Sequence, residues 1–235
     1  MYRRIDMVSS IILAAGSGKR MGKAINKVFL DLNGRPVLFY SIRAFENNPE
    51  VDEIILVMKE EEIAENRETI EGFGFSKIRS IVPGGRERMH SVREGLSAVS
   101  ESSELVLIHD GARPFVTDRI IEDAIRFSRQ YGAACPGVMP KDTIKVAGKD
   151  SMILESLDRE ALCAVQTPQA FQTGKLITLM DSALQAGHLY TDDTAVFTDA
   201  GLPVYLFEGS FHNLKLTTEE DLSQAAQIVQ EYDKF

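Results

Sequence analysis

The chain has 235 residues, enough for one large domain or one and a half, with a core that needs no disulfide staples. A net charge of −9 argues against a nucleic-acid binder, whose basic patch raises the pI. Cys135 and Cys163 give neither a metal-ligand spacing nor a disulfide framework, no apolar run could span a bilayer, and Met1–Asp6 lacks a signal-peptide core, so the chain reads as soluble and cytoplasmic with no membrane partner.

The apolar run Ile11-Ile12-Leu13 predicts a strand. It feeds a loop of small residues, Ala14-Ala15-Gly16-Ser17-Gly18, followed by the cations Lys19, Arg20, Lys23 and Lys27. Small residues let a bound group approach the backbone, whose N–H groups can face an anion, and cations supply charge for phosphate. A Walker A loop is excluded, because Arg20 follows Gly18-Lys19 and Leu13 stands where the first glycine belongs. The dinucleotide fingerprint fails too: Gly16, Gly18 and Gly22 overshoot its spacing, and no acid ends a second strand at the ribose-binding distance. A loop with several cations suits a triphosphate better than a dinucleotide. Taken alone, it also fits an ordinary strand-to-helix turn with solvated lysines.

Pro36–Phe45 has apolar spacing of three and four and predicts a helix, with Pro36 in its first turn. Glu53–Met58 reads as a strand and Glu60–Gly72 as a charged helix ending at glycine. Ile78–Val82 is a strand before the turn Pro83-Gly84-Gly85, and Arg88–Ser97 a helix. Glu104–His109 is a strand, Asp110–Pro114 a loop, Asp118–Tyr131 a helix and Ala133–Val138 a strand. This alternation predicts an α/β fold, a mostly parallel sheet flanked by helices. Ligands in such sheets sit beyond the carboxyl ends of the strands, which puts the loops 14–27, 84–91 and 110–114 on one edge. After Val138 the pattern changes. Asp142–Val146 and Ser151–Leu157 are short alternating segments around Gly148-Lys149-Asp150, a hairpin signal. A lone hairpin is marginal in water, so this one should pack on something, and a second subunit is a good candidate. Thr173–Ala186 and Thr191–Ala200 read as helices, the second capped by Thr191 or Asp192. Val204–Phe207 is a strand, and Thr217–Tyr232 a closing helix capped by Thr217 or Thr218.

Asp110 closes a purely apolar strand at the ligand edge, where a carboxylate can hold a divalent cation that bridges phosphates. The plainer reading is a turn residue, or a partner for Arg113. Arg113, Arg159 and Lys215 are cations in otherwise neutral loops, and arginine matches phosphate with two parallel hydrogen bonds. The alternation Asn213-Leu214-Lys215-Leu216 predicts a strand that aims Asn213 and Lys215 the same way. His90, His109, His188 and His212 share neither a helix face nor a ligand spacing, which argues against zinc, and no nucleophile elbow occurs.

The blocks AAGSGKRMG, NKVFL, PGGRERMHSVREGL, HDGARPFV, PKDTIK, LDREALCAVQTPQAF, YTDDTAVF and NLKLTTEEDL now stand in one order. That order closely resembles the 2-C-methyl-D-erythritol 4-phosphate cytidylyltransferases of the non-mevalonate isoprenoid pathway, over nearly the whole chain. The resemblance implies a single Rossmann-like nucleotidyltransferase domain over 1–235, with a β-arm inserted at about 139–162 that crosses to the partner of a homodimer. It implies a reaction of CTP with 2-C-methyl-D-erythritol 4-phosphate, with Mg²⁺, giving the cytidine diphosphate conjugate and pyrophosphate. By motif match, Ala14, Ala15, Gly16 and Gly18 resemble the loop around CTP, and Gly85 and Ser91 the cytosine-reading positions. Arg20 and Lys27 resemble the catalytic pair at the α-phosphorus, Lys215 a further phosphate-side lysine, and Asp110 the metal ligand. Arg113, Thr143, Arg159 and Thr191 resemble contacts to the erythritol phosphate, some reaching across the dimer, with Arg159 the most important for choosing the acceptor. Three positions depart from the family pattern. Asn26-Lys27-Val28 stands where Pro-Lys-Gln is frequent, Arg86 where a small or acidic residue is frequent, and His212 where many members carry an acid.

The implied chemistry needs no protein nucleophile, since the acceptor phosphate is already an anion. Catalysis is then positioning plus charge stabilisation. Two rivals share parts of the pattern. A ribitol or ribulose 5-phosphate cytidylyltransferase would keep the CTP half and differ at Thr143, Arg159 and Thr191. A nucleotide-binding regulator without catalysis would not need Arg20, Lys27, Asp110 and Lys215 together.

Overall fold

The computed structural model describes residues 6–16 and 26–232. In chain order the elements begin with β1 (Met7–Leu13), a 3-10 turn (Lys27–Phe29), β2 (Asp31–Leu32), β3 (Arg35–Pro36), α1 (Val37–Asn47), β4 (Glu53–Met58), α2 (Glu60–Glu71), β5 (Ile78–Pro83) and α3 (Arg88–Ala98). They continue with β6 (Ser103–Asp110), α4 (Asp118–Tyr131), β7 (Ala133–Val138), β8 (Lys145–Ala147), β9 (Ile153–Ser156) and a second 3-10 turn (Arg159–Ala161). β10 (Ala164–Val165), β11 (Gln169–Gln172), α5 (Thr173–Gln185), α6 (Thr194–Asp199), β12 (Tyr205–Glu208) and α7 (Glu219–Tyr232) follow.

The sheet runs β10-β7-β11-β6-β1-β4-β5, with β12 paired to β7. β1 sits between β6 and β4 and is parallel to both. Its neighbours are apolar at nearly every position because both faces of the sheet are covered. Alternate side chains go to opposite cores. Val8, Ile12, Ile54, Leu56 and Met58 join α1 and α4 on one face, through Leu38, Ile42, Phe45, Ile120 and Ile121. Ile11, Ile55 and Val57 join α3, α5 and α6 on the other, through Val92, Leu96, Leu176 and Phe197. Each such side chain, fully buried, contributes about 1.5–3 kcal/mol. The mostly parallel α/β sheet expected from the alternation is therefore present.

A third cluster positions the ligand edge. Leu32, Val37, Tyr40, Phe115 and Leu216 pack with Ala225, Ile228 and Val229 of α7, so the closing helix holds the segment just before it against the loop after β6. Asn33 and Gly34 both have positive φ, 54° and 79°, and turn β2 into β3. That Asn-Gly pair is a hairpin signal that the helix-and-strand alternation passes over.

Several expectations need correction. The helix expected from Pro36 begins at Val37, because Pro36 ends β3 with φ −66° and ψ 149°. The helix expected over Thr191–Ala200 is only Thr194–Asp199, because Asp192 Oδ1 accepts from the Thr194 N–H at 2.9 Å and turns the chain first. Asn213–Leu216 forms no strand; its Leu216 N–H donates to the Ala112 carbonyl at 2.9 Å, and the segment lies along a loop. β10 and β11 are antiparallel to their neighbours. They are too short, and too mixed in polarity, to stand out in the sequence. The expected hairpin is present as β8 and β9, which pair with each other and are exposed throughout.

Candidate active site

The loops after β1, β5 and β6 meet on one edge. Gly111 N–H donates to the Leu13 carbonyl at 2.9 Å, and Ala14 N–H to the Val57 carbonyl at 2.7 Å. The ends of β6, β1 and β4 are thus level. A Cβ on Gly84 would stand 2.7 Å from Ala15 Cβ and 2.8 Å from Ser91 Oγ, and one on Gly85 would strike His90. Only glycine lets the Pro83-Gly84-Gly85 turn lie against Ala15. Gly85 N–H donates to Ser91 Oγ at 3.1 Å, which fixes the turn on the first turns of α3. Ala14, Ala15, Gly16, Gly85 and Ser91 therefore belong to one neighbourhood. Gly18 and Arg20 lie outside the described residues. Lys27 opens the first 3-10 turn and is half-buried.

Asp110 ends β6 and collects three cations. Lys215 Nζ stands 2.7 Å from Oδ2, Arg88 Nε 3.6 Å from Oδ1, and Arg113 Nε 4.0 Å from Oδ2. Burial pushes the Asp110 carboxyl up, but Arg88, Lys215 and Arg113 outweigh burial and hold it well below the usual carboxylate range. Arg88 also forks onto buried Asp193, Nη1 to Oδ1 and Nη2 to Oδ2, both at 2.7 Å. Burial lowers the Arg88 pKa, and the carboxylates of Asp193 and Asp110 more than reverse that. Asp192 also acts on Arg88, so the three cations Arg88, Arg113 and Lys215 face three carboxylates, Asp110, Asp192 and Asp193.

A buried shell fixes this cluster. Asp110 N–H donates to Thr167 Oγ1 at 3.0 Å. The His109 ring lies between Thr167 Oγ1, 3.2 Å from Nδ1, and the Arg113 carbonyl, 3.1 Å from Nε2. Burial pushes the His109 pKa down to about 4, so the ring is neutral near pH 7. Arg113 Nη1 donates to the Asn213 carbonyl at 2.6 Å, and Asn213 Nδ2 to the Thr167 carbonyl at 2.9 Å. Lys215 and Asn213 thus reach the same loops although no strand aims them. Arg113 Nε and Asn213 Oδ1 are buried and have no hydrogen-bond partner among the described residues. Buried polar atoms of this kind are ordinarily satisfied by a protein group, a water or a ligand.

Among the described residues Asp110 Oδ1 has the 3.6 Å contact to Arg88, while Oδ2 carries Lys215. The carboxylate is ionised and can serve a hard cation as one oxygen ligand. Among the described residues no group of three or more His, Cys, Asp or Glu side chains could hold a metal. A cation here would draw its remaining ligands from phosphate and water, the usual habit of Mg²⁺. His212 is exposed, and its backbone N–H donates to Ser210 Oγ.

Three expected site residues stand apart. Thr143 and Arg159 are exposed at the root of the β8–β9 hairpin, and Arg159 Nη1 donates to the Lys141 carbonyl at 3.0 Å. Among the described residues no hydrogen bond or ion pair joins either to Asp110, Arg113 or Lys215. Thr191 is exposed two positions before Asp193. Arg88 is the main residue that sequence reasoning missed. A signal was available: a cation in the first turn of a helix opposes the helix dipole, so it calls for a carboxylate partner.

A family model described as IspD, 2-C-methyl-D-erythritol 4-phosphate cytidylyltransferase, matches residues 8–231. A protein of that name from Clostridium kluyveri (strain NBRC 12016) is 49% identical over 93% of this chain and 95% of that protein. Another, from Clostridium botulinum (strain Loch Maree / Type A3), is 46% identical over 94% of this chain and 97% of that one. The crystal structure of 4-diphosphocytidyl-2C-methyl-D-erythritol synthase from Anaerococcus prevotii DSM 20548 superposes with a TM-score of 0.83 at 32% identity, covering 96% of each chain. Among the described residues no helix is long and apolar enough to cross a membrane. The match of motif, sequence and fold along almost the full length means that the chain belongs to the 2-C-methyl-D-erythritol 4-phosphate cytidylyltransferase family.

Proposed function

We propose that this chain joins CTP to 2-C-methyl-D-erythritol 4-phosphate at the edge formed by the loops after β1, β5 and β6. The observation that carries the assignment of the site is the Asp110 cluster: an ionised carboxylate held among Arg88, Arg113 and Lys215 at the ligand edge of the sheet. The acceptor's phosphate oxygen attacks the α-phosphorus of CTP in line. A new P–O bond forms there, the bond to the bridging oxygen of the β-phosphate breaks, and pyrophosphate leaves with that electron pair. No side chain need act as nucleophile or base.

In this reading Ala14, Ala15, Gly16 and Gly18 lie along the triphosphate, while Gly85 and Ser91 read cytosine. Arg20 and Lys27 stabilise the negative charge that grows on the transferred phosphoryl group. Asp110 would hold Mg²⁺, which supplies charge neutralisation along the phosphates when bound. Lys215 and Arg113 face the acceptor phosphate. Thr143, Arg159 and Thr191 complete the acceptor site, and the distance of the first two from Asp110 is accounted for if they serve a second copy. The chain then acts as a homodimer of single domains, each spanning 1–235, with the segment at about 139–162 as the exchanged arm.

Pyrophosphate release tests this directly. With CTP and Mg²⁺, turnover is expected with methylerythritol 4-phosphate and not with ribitol 5-phosphate. Preference for ribitol 5-phosphate would keep the CTP half and overturn the acceptor. Silence with both, despite CTP binding, would leave a regulator.

A further inference from the structure

Asn26 stands next to Lys27 and is only 4% exposed. A buried primary amide must have its donors and acceptor satisfied, and here they are. Nδ2 donates to the Ala14 carbonyl at 2.7 Å and to Glu62 Oε2 at 2.8 Å. Oδ1 accepts from the Val28 N–H at 3.4 Å, capping the 3-10 turn that opens with Lys27. The anchors are themselves held. Ala14 is bonded to Val57 of β4, and Glu62, in the first turn of α2, takes Lys59 Nζ at 2.9 Å. One side chain therefore ties the end of β1, the start of α2 and the backbone of the Lys27 turn to each other.

We propose that Asn26 is a positioning residue. Its amide clasps the backbone that carries Lys27 to the Ala14 carbonyl, and so sets where the Lys27 ammonium meets the transferred phosphate. The inference rests on the reading of Lys27 as a charge-stabilising group. Asn26 touches no substrate in this role. The clasp matters because charge stabilisation depends steeply on placement, a 1 Å error costing up to about 10²-fold.

Asn26→Ala removes all three hydrogen bonds. Its kcat is expected to fall about tenfold with the KM for CTP within about twofold, since transition-state stabilisation is lost and ground-state binding is not. The decisive set adds Lys27→Ala and the double variant. With the positioned ammonium gone, losing the clasp should cost less than about twofold more. A full tenfold further loss would show that Asn26 acts elsewhere, and would overturn the proposal. A wild-type kcat with merely a lower Tm would do so too. Asn26 has φ −61° and ψ 128°, the φ that a proline ring imposes. Asn26→Pro is therefore expected to recover kcat to within about threefold of wild type, and no recovery would sink the claim that backbone placement is what the clasp supplies. If Asn26→Ala fails to fold, Asn26→Ser serves, since it keeps a capping oxygen and cannot reach both Ala14 and Glu62. A wild-type chain that releases no pyrophosphate defeats the proposed function instead. The clasp is then read by amide hydrogen exchange at Val28 and Phe29, which should quicken in Asn26→Ala; unchanged exchange overturns it.

Discussion

Around Asp110, charged groups find partners within this chain, whereas among the described residues the strands β8 and β9 pair only with each other. Asp110, Arg88, Asp193, Arg113 and Lys215 are linked pairwise, and His109, Thr167 and Asn213 brace them from below. The hairpin pairs only β8 with β9, and Met152, Ile153 and Leu154 are 64%, 66% and 68% exposed. Two strands alone bury too little to be stable in water, and three adjacent large apolar side chains are not left to solvent without use. The cluster is a finished piece of one subunit. Under the proposed function, a second copy is the partner that covers the hairpin.

The sharpest test of the ligand edge, which the cluster shares with the loop after β1, is Lys27→Ala. Its kcat is expected to fall by about 10²–10³, the usual loss for one preorganised electrostatic contact at a transferred group. Single-turnover rates at saturating dimer should show the same loss, since they report the chemical step. A fall under tenfold would remove Lys27 from the centre of the chemistry.

The unfinished half is broken by charging it. Met152→Asp with Leu154→Asp should leave a folded monomer by sedimentation and lower kcat/KM for the acceptor by about 10- to 100-fold, because positioning groups are lost. A monomer that keeps full activity would mean that each subunit completes its own site. Next in size is Arg159→Ala, which should raise the KM for the acceptor about tenfold, the worth of one charge-assisted hydrogen bond, and leave CTP binding unchanged. Mixing Arg159→Ala with an inactive Lys27→Ala chain sharpens the comparison. Recovery of activity in the mixture would show that one subunit lends Arg159 to the other, and no recovery would place it in its own subunit's site.

How far each half was legible follows from the range of its interactions. β4, most of β6 and the Ile11–Leu13 end of β1 are continuous apolar runs because they are buried on both faces, so the sheet and its ligand edge could be read locally. Asp110, Gly85 and Ser91 sit at strand ends and turns, which local signals mark. The Arg88–Asp193 fork joins residues 105 apart, and no local pattern reports such a pair. β11 pairs between β6 and β7 through four residues, two of them glutamine, and its burial comes from neighbours that the segment itself does not name. Lys215 was found for a partly wrong reason. Alternation suggested a strand, while what brings Lys215 to Asp110 is Leu216, anchored in the cluster under α7 and bonded to Ala112.

That anchoring gives the smallest and most local prediction. Lys215 is held because the chain runs directly into α7, and the start of α7 is fixed by a reciprocal cap. Thr218 Oγ1 accepts from the Asp221 N–H at 3.2 Å, while Asp221 Oδ2 accepts from the Thr217 N–H at 2.7 Å, the Thr217 hydroxyl at 2.8 Å and the Thr218 N–H at 2.8 Å. Burial raises the Asp221 pKa, and the hydrogen bonds from Thr217 and Thr218 together outweigh it, so the folded-state value is lowered. A lowered carboxyl pKa contributes stability in full above the unfolded value and loses it as pH falls through the folded one. Asp221→Ala should therefore cost about 1 kcal/mol in urea unfolding at pH 7, and the gap from wild type should narrow as the carboxyl protonates below about pH 4. A gap of the same size at pH 7 and pH 3 would mean that the charge of the cap contributes nothing. Kinetics then tell whether the cap matters to the site: if α7 holds Lys215 in place, Asp221→Ala raises the KM for the acceptor slightly, and if the Leu216 anchor suffices, only stability moves.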